Sequence, residues 1–265
     1  MRSHPLPALA VGAAAFALAA ILLPSDGDEP RSPTADPAAA GAALLSSIRA
    51  AAPLPGFTAP DEEVRGPRFM IARVLPGESV KLRTAPGGPV IERLGDETEF
   101  GSPRAFWIGK IREDWFGVVT TEVPNGRLGW IRDDRTRLEL SETRYRLLAD
   151  RSDRILGIYY GNRLLNRYPV TVGAPGTETP LGAFAVTDAL AGPTLGPYYG
   201  CCLLALSGHQ PNLPEGWIGG DRMAIHGTPG AIGGAASAGC LRTSDETMVS
   251  LFARVPLGAP VYVRP

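Results

Sequence analysis

HGTPGAIGGAASAGCLR, residues 226–242, is the stretch on which the reading of this chain turns. It opens with His226-Gly227-Thr228 and closes with Ser237-Ala238-Gly239-Cys240-Leu241-Arg242, so a base and a nucleophile bracket one short segment. Between them, Pro229 to Ala236 is almost all Gly, Ala and Pro, a composition suited to a tight loop that brings the two side chains back together. A thiol with a pKa of about 8.5 is only a few per cent thiolate near neutrality, so a working cysteine needs a neighbouring base or positive charge. His226 can supply the base: of the three histidines, His4 sits in a targeting-like run and His209 is farther away. Taken alone, a cysteine is more often a small buried hydrophobe and a histidine a satisfied core residue. Together with the glycines and Arg242, the pair reads as thiol catalysis.

The chemistry can be written from these residues. Peptide-bond exchange without ATP needs a nucleophile, a base and donors for a tetrahedral oxyanion. Cys240 would attack, His226 would act as general base and then acid, and the backbone N–H groups of Gly239 and Cys240 would hold the oxyanion. Arg242 lies two residues after Cys240; in an extended segment it shares that face and either binds a substrate carboxylate or makes a structural ion pair. Thr228 and Ser237 are grouped with the substrate-binding residues, although loop fixing by side-chain to backbone bonds is the favoured role of each hydroxyl.

Residues 226–242 resemble the active-site signature of the L,D-transpeptidase family, bacterial cysteine enzymes that cross-link peptidoglycan. Tyr168-Pro169-Val170-Thr171-Val172-Gly173 and Thr179-Pro180-Leu181-Gly182-Ala183-Phe184 are similar to the family's strand and its Thr-Pro-x-Gly-x-Phe turn, so the resemblance covers roughly 141 to 264. Two departures stand out. Ala238 occupies the position where the commonest signature has a second histidine, and the His226 to Cys240 interval is short. The resemblance implies a catalytic domain at 141–265 that joins stem peptides through a Cys240 thioester on a tetrapeptide donor, later resolved by an amine. It also implies that the Gly227 carbonyl orients His226, that carbapenems acylate Cys240, and that no cofactor is used. Tyr198, Tyr199, His209 and Trp217, within the long Gly192–Gly220 stretch, become substrate contacts under a lid, with plain loop packing as the alternative.

Other site chemistries fit less well. Cys240, His226, His209 and the vicinal Cys201-Cys202 pair could supply soft ligands, but structural zinc shows ligands paired two to four residues apart in two clusters, so no metal is expected. In papain-like hydrolases the cysteine precedes the histidine, whereas sortases separate the two by a much longer interval. Cysteine arithmetic leaves Cys240 free. A vicinal disulfide is strained, so Cys201 and Cys202 are expected as two reduced or buried thiols.

The chain of 265 residues has 32 glycines, 26 prolines and a formal net charge of −1, which fits short strands joined by turns and gives no basic footprint for nucleic acid. An all-β or β-dominated protein is expected. Residues 1–24 read as a signal peptide or N-terminal membrane anchor, with the apolar run at 6–24 directing the rest of the chain to the periplasm, cell surface or cell wall. Residues 25–67 read as a Pro/Ala-rich linker. From 68 to 135, turns at Pro76-Gly77, Pro86-Gly87-Gly88 and Asn125-Gly126 punctuate a small barrel that looks like a bacterial SH3-type domain, carried by Val80–Arg83, Trp115–Val119 and Gly129–Ile131. Trp107, Trp115 and Trp130 read as its core or as a ligand groove. Strands are expected at Tyr145–Asp150, Ile155–Tyr160 and Arg163–Val172. After Cys240, Thr243-Ser244-Asp245-Glu246 resembles a capping box opening one short helix. The competing functions are an L,D-carboxypeptidase, a protein-to-wall ligase, and a non-catalytic wall-binding protein.

Overall fold

A computed structural model describes residues 65–265. The expected leader and most of the expected linker lie outside the described residues. Among the described residues no helix is long and apolar enough to cross a membrane.

Alternation and turn chemistry build the first sheet. Its strands are β1 (Phe69–Val74), β2 (Ser79–Arg83), β3 (Val90–Gly95), β4 (Ala105–Arg112), β5 (Trp115–Val119), β6 (Gly129–Arg132) and β7 (Leu138–Thr143). They pair antiparallel in the order β3-β2-β6-β5-β4-β1-β7. Gly77, Gly87 and Gly126 take φ values of 76°, 68° and 77°, the left-handed region these turns require. Val80 and Leu82 of β2 point inward to join Phe106, Phe116 and Ile131 in a dry core. The sheet runs past the expected boundary at 135. β7 pairs with the whole of β1, from Phe69↔Thr143 to Val74↔Leu138, so residues 138–143 complete this sheet and do not open the next domain.

The second sheet contains β8 (Tyr145–Asp150), β9 (Ile155–Tyr160), β10 (Arg163–Pro169), β12 (Gly182–Ala191), β13 (Cys202–His209), β14 (Arg222–Gly227), β16 (Leu241–Thr243) and β17 (Pro260–Arg264), in the order β10-β9-β8-β17-β12-β13-β14-β16. A two-stranded pair, β11 (Val172–Gly173) with β15 (Ala235–Ser237), closes over the loop after β14. Helix α1 (Asp245–Phe252) starts at Ser244, whose Oγ accepts from Thr247 N–H at 3.1 Å; the cap is therefore one residue later than a Thr243–Glu246 box would place it. Met248, Leu251 and Phe252 pack with Leu204, Leu206, Ile225 and Leu241 on one face of the sheet. The alternate residues Leu203, Ala205 and Ala224 form a shallow apolar floor on the other face, against which Cys240 packs.

Two expectations are corrected here. The stretch 192–220 is not one long loop, because the apolar run from Cys202 to Leu206 is a buried central strand flanked by two shorter loops. Cys201 and Cys202 are joined as a vicinal disulfide, leaving Cys240 as the free cysteine among the described residues. Strand alternation would point adjacent cysteines apart, but Cys201 lies in the turn ahead of β13, where alternation does not apply.

Candidate active site

Parallel pairing of β14 with β16 explains how His226 and Cys240 come together. Ile225 pairs with Leu241 and His226 with Arg242, so Cys240, immediately before β16, lies beside Ala224. The intervening chain returns through the β11–β15 pair, held by Val172 N–H to Gly234 O (3.0 Å) and Thr171 Oγ1 to Ala231 O (3.1 Å). His226 and Cys240 line one cleft of about 510 Å³, together with Tyr198, Tyr199, Trp217 and Arg242.

His226 is fully buried, and its Nδ1 lies 2.6 Å from Gly227 O. With the proton on Nδ1, that contact is a donated hydrogen bond, and Nε2 carries the lone pair. Among the described residues Nε2 has no hydrogen-bond partner. Burial lowers the imidazole pKa, partly opposed by the Gly227 bond. Burial raises the Cys240 thiol, partly opposed by a hydrogen bond with the Ala224 backbone. Both shifts favour the neutral pair, which suits base-assisted attack by a thiol better than a standing thiolate–imidazolium pair. The rings of Tyr198 and Tyr199 pack on His226 at centroid distances of 5.5 and 5.0 Å.

The turn carrying Cys240 is fixed by buried polar groups. Ser237 Oγ donates to Cys240 O at 2.6 Å and accepts from Gly239 N–H at 3.0 Å. That occupies Gly239 N–H and corrects its expected use as an oxyanion donor; among the described residues Cys240 N–H is engaged by no turn or loop bond. Ser237 is thus a loop-fixing residue, and Thr228 acts similarly, its Oγ1 accepting from Gly230 N–H at 3.1 Å. Gly239 has φ 116°, and a Cβ there would collide with the amide of Gln210. Only glycine combines that conformation with so close an approach.

Gln210, which no sequence motif marks, is 4% exposed and donates through Nε2 to Thr177 O (3.0 Å), Glu178 O (3.1 Å) and Ala238 O (3.3 Å). It ties the turn after β11 to the segment before Cys240. The Thr-Pro-x-Gly-x-Phe segment anchors the same turn: Thr179 Oγ1 accepts from Gly173 N–H at 2.9 Å, Gly182 takes φ 144° and Phe184 fills the core beneath it. Asp245 is a second residue whose role the sequence hides, since there it reads only as part of a helix cap. Its carboxylate accepts from Cys201 N–H at 3.0 Å and packs against Gly227, where any Cβ would collide with it.

Arg242 sits with its guanidinium 4.6 Å from the Tyr198 ring, and among the described residues its buried Nε has no hydrogen-bond partner. Among the described residues it makes no ion pair, which removes the structural ion-pair reading. His209 faces away from this cleft. Its Nε2 lies 2.8 Å from Thr121 O and its Nδ1 3.0 Å from Asp221, while its backbone is clamped by Asn125, Nδ2 to O at 2.7 Å and N to Oδ1 at 2.9 Å. His209 is therefore a docking residue for the first sheet, because the end of β13 turns its ring toward that sheet. No group of three or more His, Cys, Asp or Glu residues able to hold a metal occurs among the described residues.

These observations define a β-sheet domain with a cysteine and a histidine in one cleft. Residues 144–263 match the family model described as YkuD, L,D-transpeptidase catalytic domain, so this part of the chain is similar to that family. It is 32% identical over 123 residues to the Bacillus licheniformis protein named "Putative L,D-transpeptidase YkuD" and 30% identical over 121 residues to its Bacillus subtilis namesake. The matches cover 46% and 45% of this chain and 66% and 65% of those relatives, so the chain spans just under two thirds of their length. Among solved structures, an L,D-transpeptidase from Mycobacterium smegmatis is similar at 16% identity and a TM-score of 0.39, covering 74% of this chain and 99% of that one.

Proposed function

We propose that the protein is a peptidoglycan L,D-transpeptidase acting through a Cys240 acyl-enzyme. The observation that supports this most is the buried His226, held at Nδ1 by Gly227 O with Nε2 unpartnered, in the cleft that also holds the free thiol. Cys240 Sγ attacks the carbonyl after the third residue of a tetrapeptide stem as its proton passes to His226 Nε2. Negative charge develops on the carbonyl oxygen beside Cys240 N–H. The C–N bond then breaks, and the terminal D-residue leaves as an amine with the proton from His226. An amine of a second stem attacks the thioester and gives its proton to His226; the C–S bond breaks, and His226 returns that proton to Sγ, restoring the thiol. Arg242 offers charge for a stem carboxylate, its guanidinium braced by Tyr198. By the same chemistry a carbapenem acylates Cys240.

In this reading the run at 6–24 takes the protein to the outer side of the plasma membrane, as a cleaved signal or an anchor, and the first sheet is an SH3-type wall-associated module. Incubation of the protein with a tetrapeptide muropeptide should give a mass increment on Cys240 and release of the terminal D-residue. Absence of both, with Cys240→Ala retaining full wall binding, would favour a wall-binding protein instead. Release without cross-linked product would make the enzyme an L,D-carboxypeptidase.

A further inference from the structure

Arg222 belongs to neither the signature nor its similar upstream segments, yet it opens onto the nucleophile's cleft. Side chains alternate along β14, so Arg222, Ala224 and His226 share the face that carries the cleft. Two residues of strand separate Arg222 from Ala224, about 7 Å at ~3.3 Å per residue. Ala224 is part of the floor against which Cys240 packs.

The guanidinium is held in place independently of any ligand. Nε donates to Leu206 O at 3.1 Å, and Nη2 donates to Thr187 Oγ1 at 2.8 Å. Asp188, fully buried, places Oδ2 3.6 Å from Nη2, and among the described residues that oxygen has no hydrogen-bond partner. Asp188 Oδ1 accepts from Thr98 Oγ1 of the first sheet's loop. The remaining edge, Nη1, meets Glu99 of that same loop at 2.5 Å, while Phe100 lies 5.7 Å from the guanidinium. Arg222 is 18% exposed, but Glu99 is 58% exposed. A carboxylate that open to water is a weak and exchangeable partner. The buried side of the arginine is thus fixed, and its cleft side is occupied by a removable carboxylate from the other sheet.

We propose that Arg222 is the anchor of a carboxylate-binding subsite for peptide substrate, and that Glu99 is an intramolecular stand-in which the substrate carboxylate displaces. The ligand is a peptide with a free carboxylate one to two residues from the carbonyl that Cys240 acylates. With Nε and Nη2 held by Leu206, Thr187 and Asp188, Nη1 is left to donate a charge-assisted hydrogen bond to a carboxylate in the cleft. The first sheet then takes part in substrate selection: its loop sets the competitor that a peptide must outbid for Arg222. The inference rests on the proposed acyl-transfer reading, because it assigns the role of a side chain in that cleft.

The test compares two tetrapeptide donors, one with this carboxylate free and one with it converted to a carboxamide, on the full chain. Acylation of Cys240 by the free acid should exceed that by the amide by about 10-fold in kcat/KM, the scale of one charge-assisted hydrogen-bond pair. Glu99→Gln should raise the acid-to-amide ratio by a further ~3-fold or more, as expected when a weak exposed ion pair is removed. Arg222→Gln should bring the ratio to about one. Because Arg222→Gln also strands buried Asp188 and can compromise folding, Glu99→Gln on its exposed side chain is the deciding variant. An acid-to-amide ratio of one in the unaltered protein, or a ratio unmoved by Glu99→Gln, overturns the proposal. If neither peptide acylates Cys240, the acyl-transfer reading fails separately. Calorimetric binding of the two peptides to Cys240→Ala then still decides the subsite: preference for the acid that grows with Glu99→Gln supports it, and equal binding overturns it.

Discussion

The two sheets treat polar groups in opposite ways. Among the described residues, the first sheet and its loops bury three polar side chains, Ser102, Thr120 and Thr143, whereas the second buries eleven, including Asp188, Gln210, His226 and Ser237. The first keeps much of its charge outside, in pairs such as Arg68–Glu142 and Arg132–Asp114, where both partners are well exposed and each pair contributes little, with the half-buried Arg104–Glu122 pair as an exception. Burying a polar group is costly unless it is hydrogen-bonded, so the second sheet commits its polar residues to fixed geometry. That geometry converges on one turn: Ser237 holds Gly239 and Cys240, Gln210 holds Ala238, and Gly227 holds His226. The contrast separates a sheet with few buried polar groups from one whose buried polar groups fix the turn that carries Cys240.

The contrast is broken most sharply at the proposed nucleophile, Cys240. Cys240→Ala should lower acyl transfer by at least ~1,000-fold, and His226→Gln by ~100-fold or more, the range seen for removal of a nucleophile or general base. Both variants should melt close to the unaltered protein. A Cys240→Ala protein that still forms cross-links would place the chemistry elsewhere.

Core truncations should instead affect stability in both sheets. Ile131 and Ile225 are each fully buried, one in each core. Replacement of either by Ala should cost ~2–5 kcal/mol in urea unfolding. Activity measured well below the transition should survive Ile131→Ala better, because Ile225 lies between Ala224 and His226 on the strand that positions the base.

Much of this organisation is legible in the sequence, for local reasons. Turns at Gly77, Gly87 and Gly126 need a positive φ and announce themselves by residue type. β8 and β9 follow the alternation of Tyr145–Asp150 and Ile155–Tyr160. The placing of His226 and Cys240 in one cleft follows from chain order and loop composition. Other features depend on partners remote in sequence. β7 joins the first sheet because six residues of β1 wait for it some seventy positions earlier in the chain. Gln210 carries no motif, and only the fold brings its amide to Ala238 O. His209 reads as a substrate contact because the sequence does not reveal Asn125 clamping its backbone toward the first sheet. β13 is hidden for a different reason: its apolar run sits among Gly- and Pro-rich flanks that read as loop, although a short continuous apolar run is what a buried strand looks like.

Gln210→Ala probes whether buried polar groups in the second sheet set geometry more than stability. The substitution leaves the carbonyls of Thr177, Glu178 and Ala238 without the amide donor and should cost ~1–3 kcal/mol in stability. It should also lower kcat by about 10-fold with little change in KM, because a misplaced nucleophile slows chemistry more than binding. Gln210→Glu, which keeps the volume but loses the donor, should resemble Gln210→Ala; full activity in Gln210→Glu would show that the amide merely fills space.

Removing the Asn125 clamp is expected to do less. Asn125→Ala deletes two hydrogen bonds to the His209 backbone at the junction of the sheets and should cost ~1–2 kcal/mol. Any loss of activity should be smaller than that of Gln210→Ala, because Gln210 also has its own backbone bond to Asp221 O at 2.7 Å. A larger loss would mean that the first sheet positions the nucleophile directly.

The mildest difference between the sheets is a pH dependence contributed by buried His226. Its folded pKa is lowered, chiefly by burial, so the unfolded chain takes up a proton near the ordinary imidazole pKa of about 6.5 while the folded protein remains neutral. The unfolded state binds more protons in that interval, so stability rises with pH there. The His226 contribution is fully present above about pH 6.5, falls as the pH drops from there toward the lower folded pKa, and does not change further below it. The urea midpoint should therefore decrease between pH 7.5 and pH 5, and the decrease should be smaller in His226→Gln, which lacks the titrating group. Cys240 acts at the opposite end of the scale. Burial raises its thiol, so its contribution is present below the unfolded thiol pKa and is lost as pH rises through the folded one. The same two shifts predict an activity optimum on the neutral to mildly alkaline side, where the imidazole is unprotonated and the thiol can give up its proton. A maximum below pH 6 would contradict a neutral resting pair and point to a site that starts from its charged form.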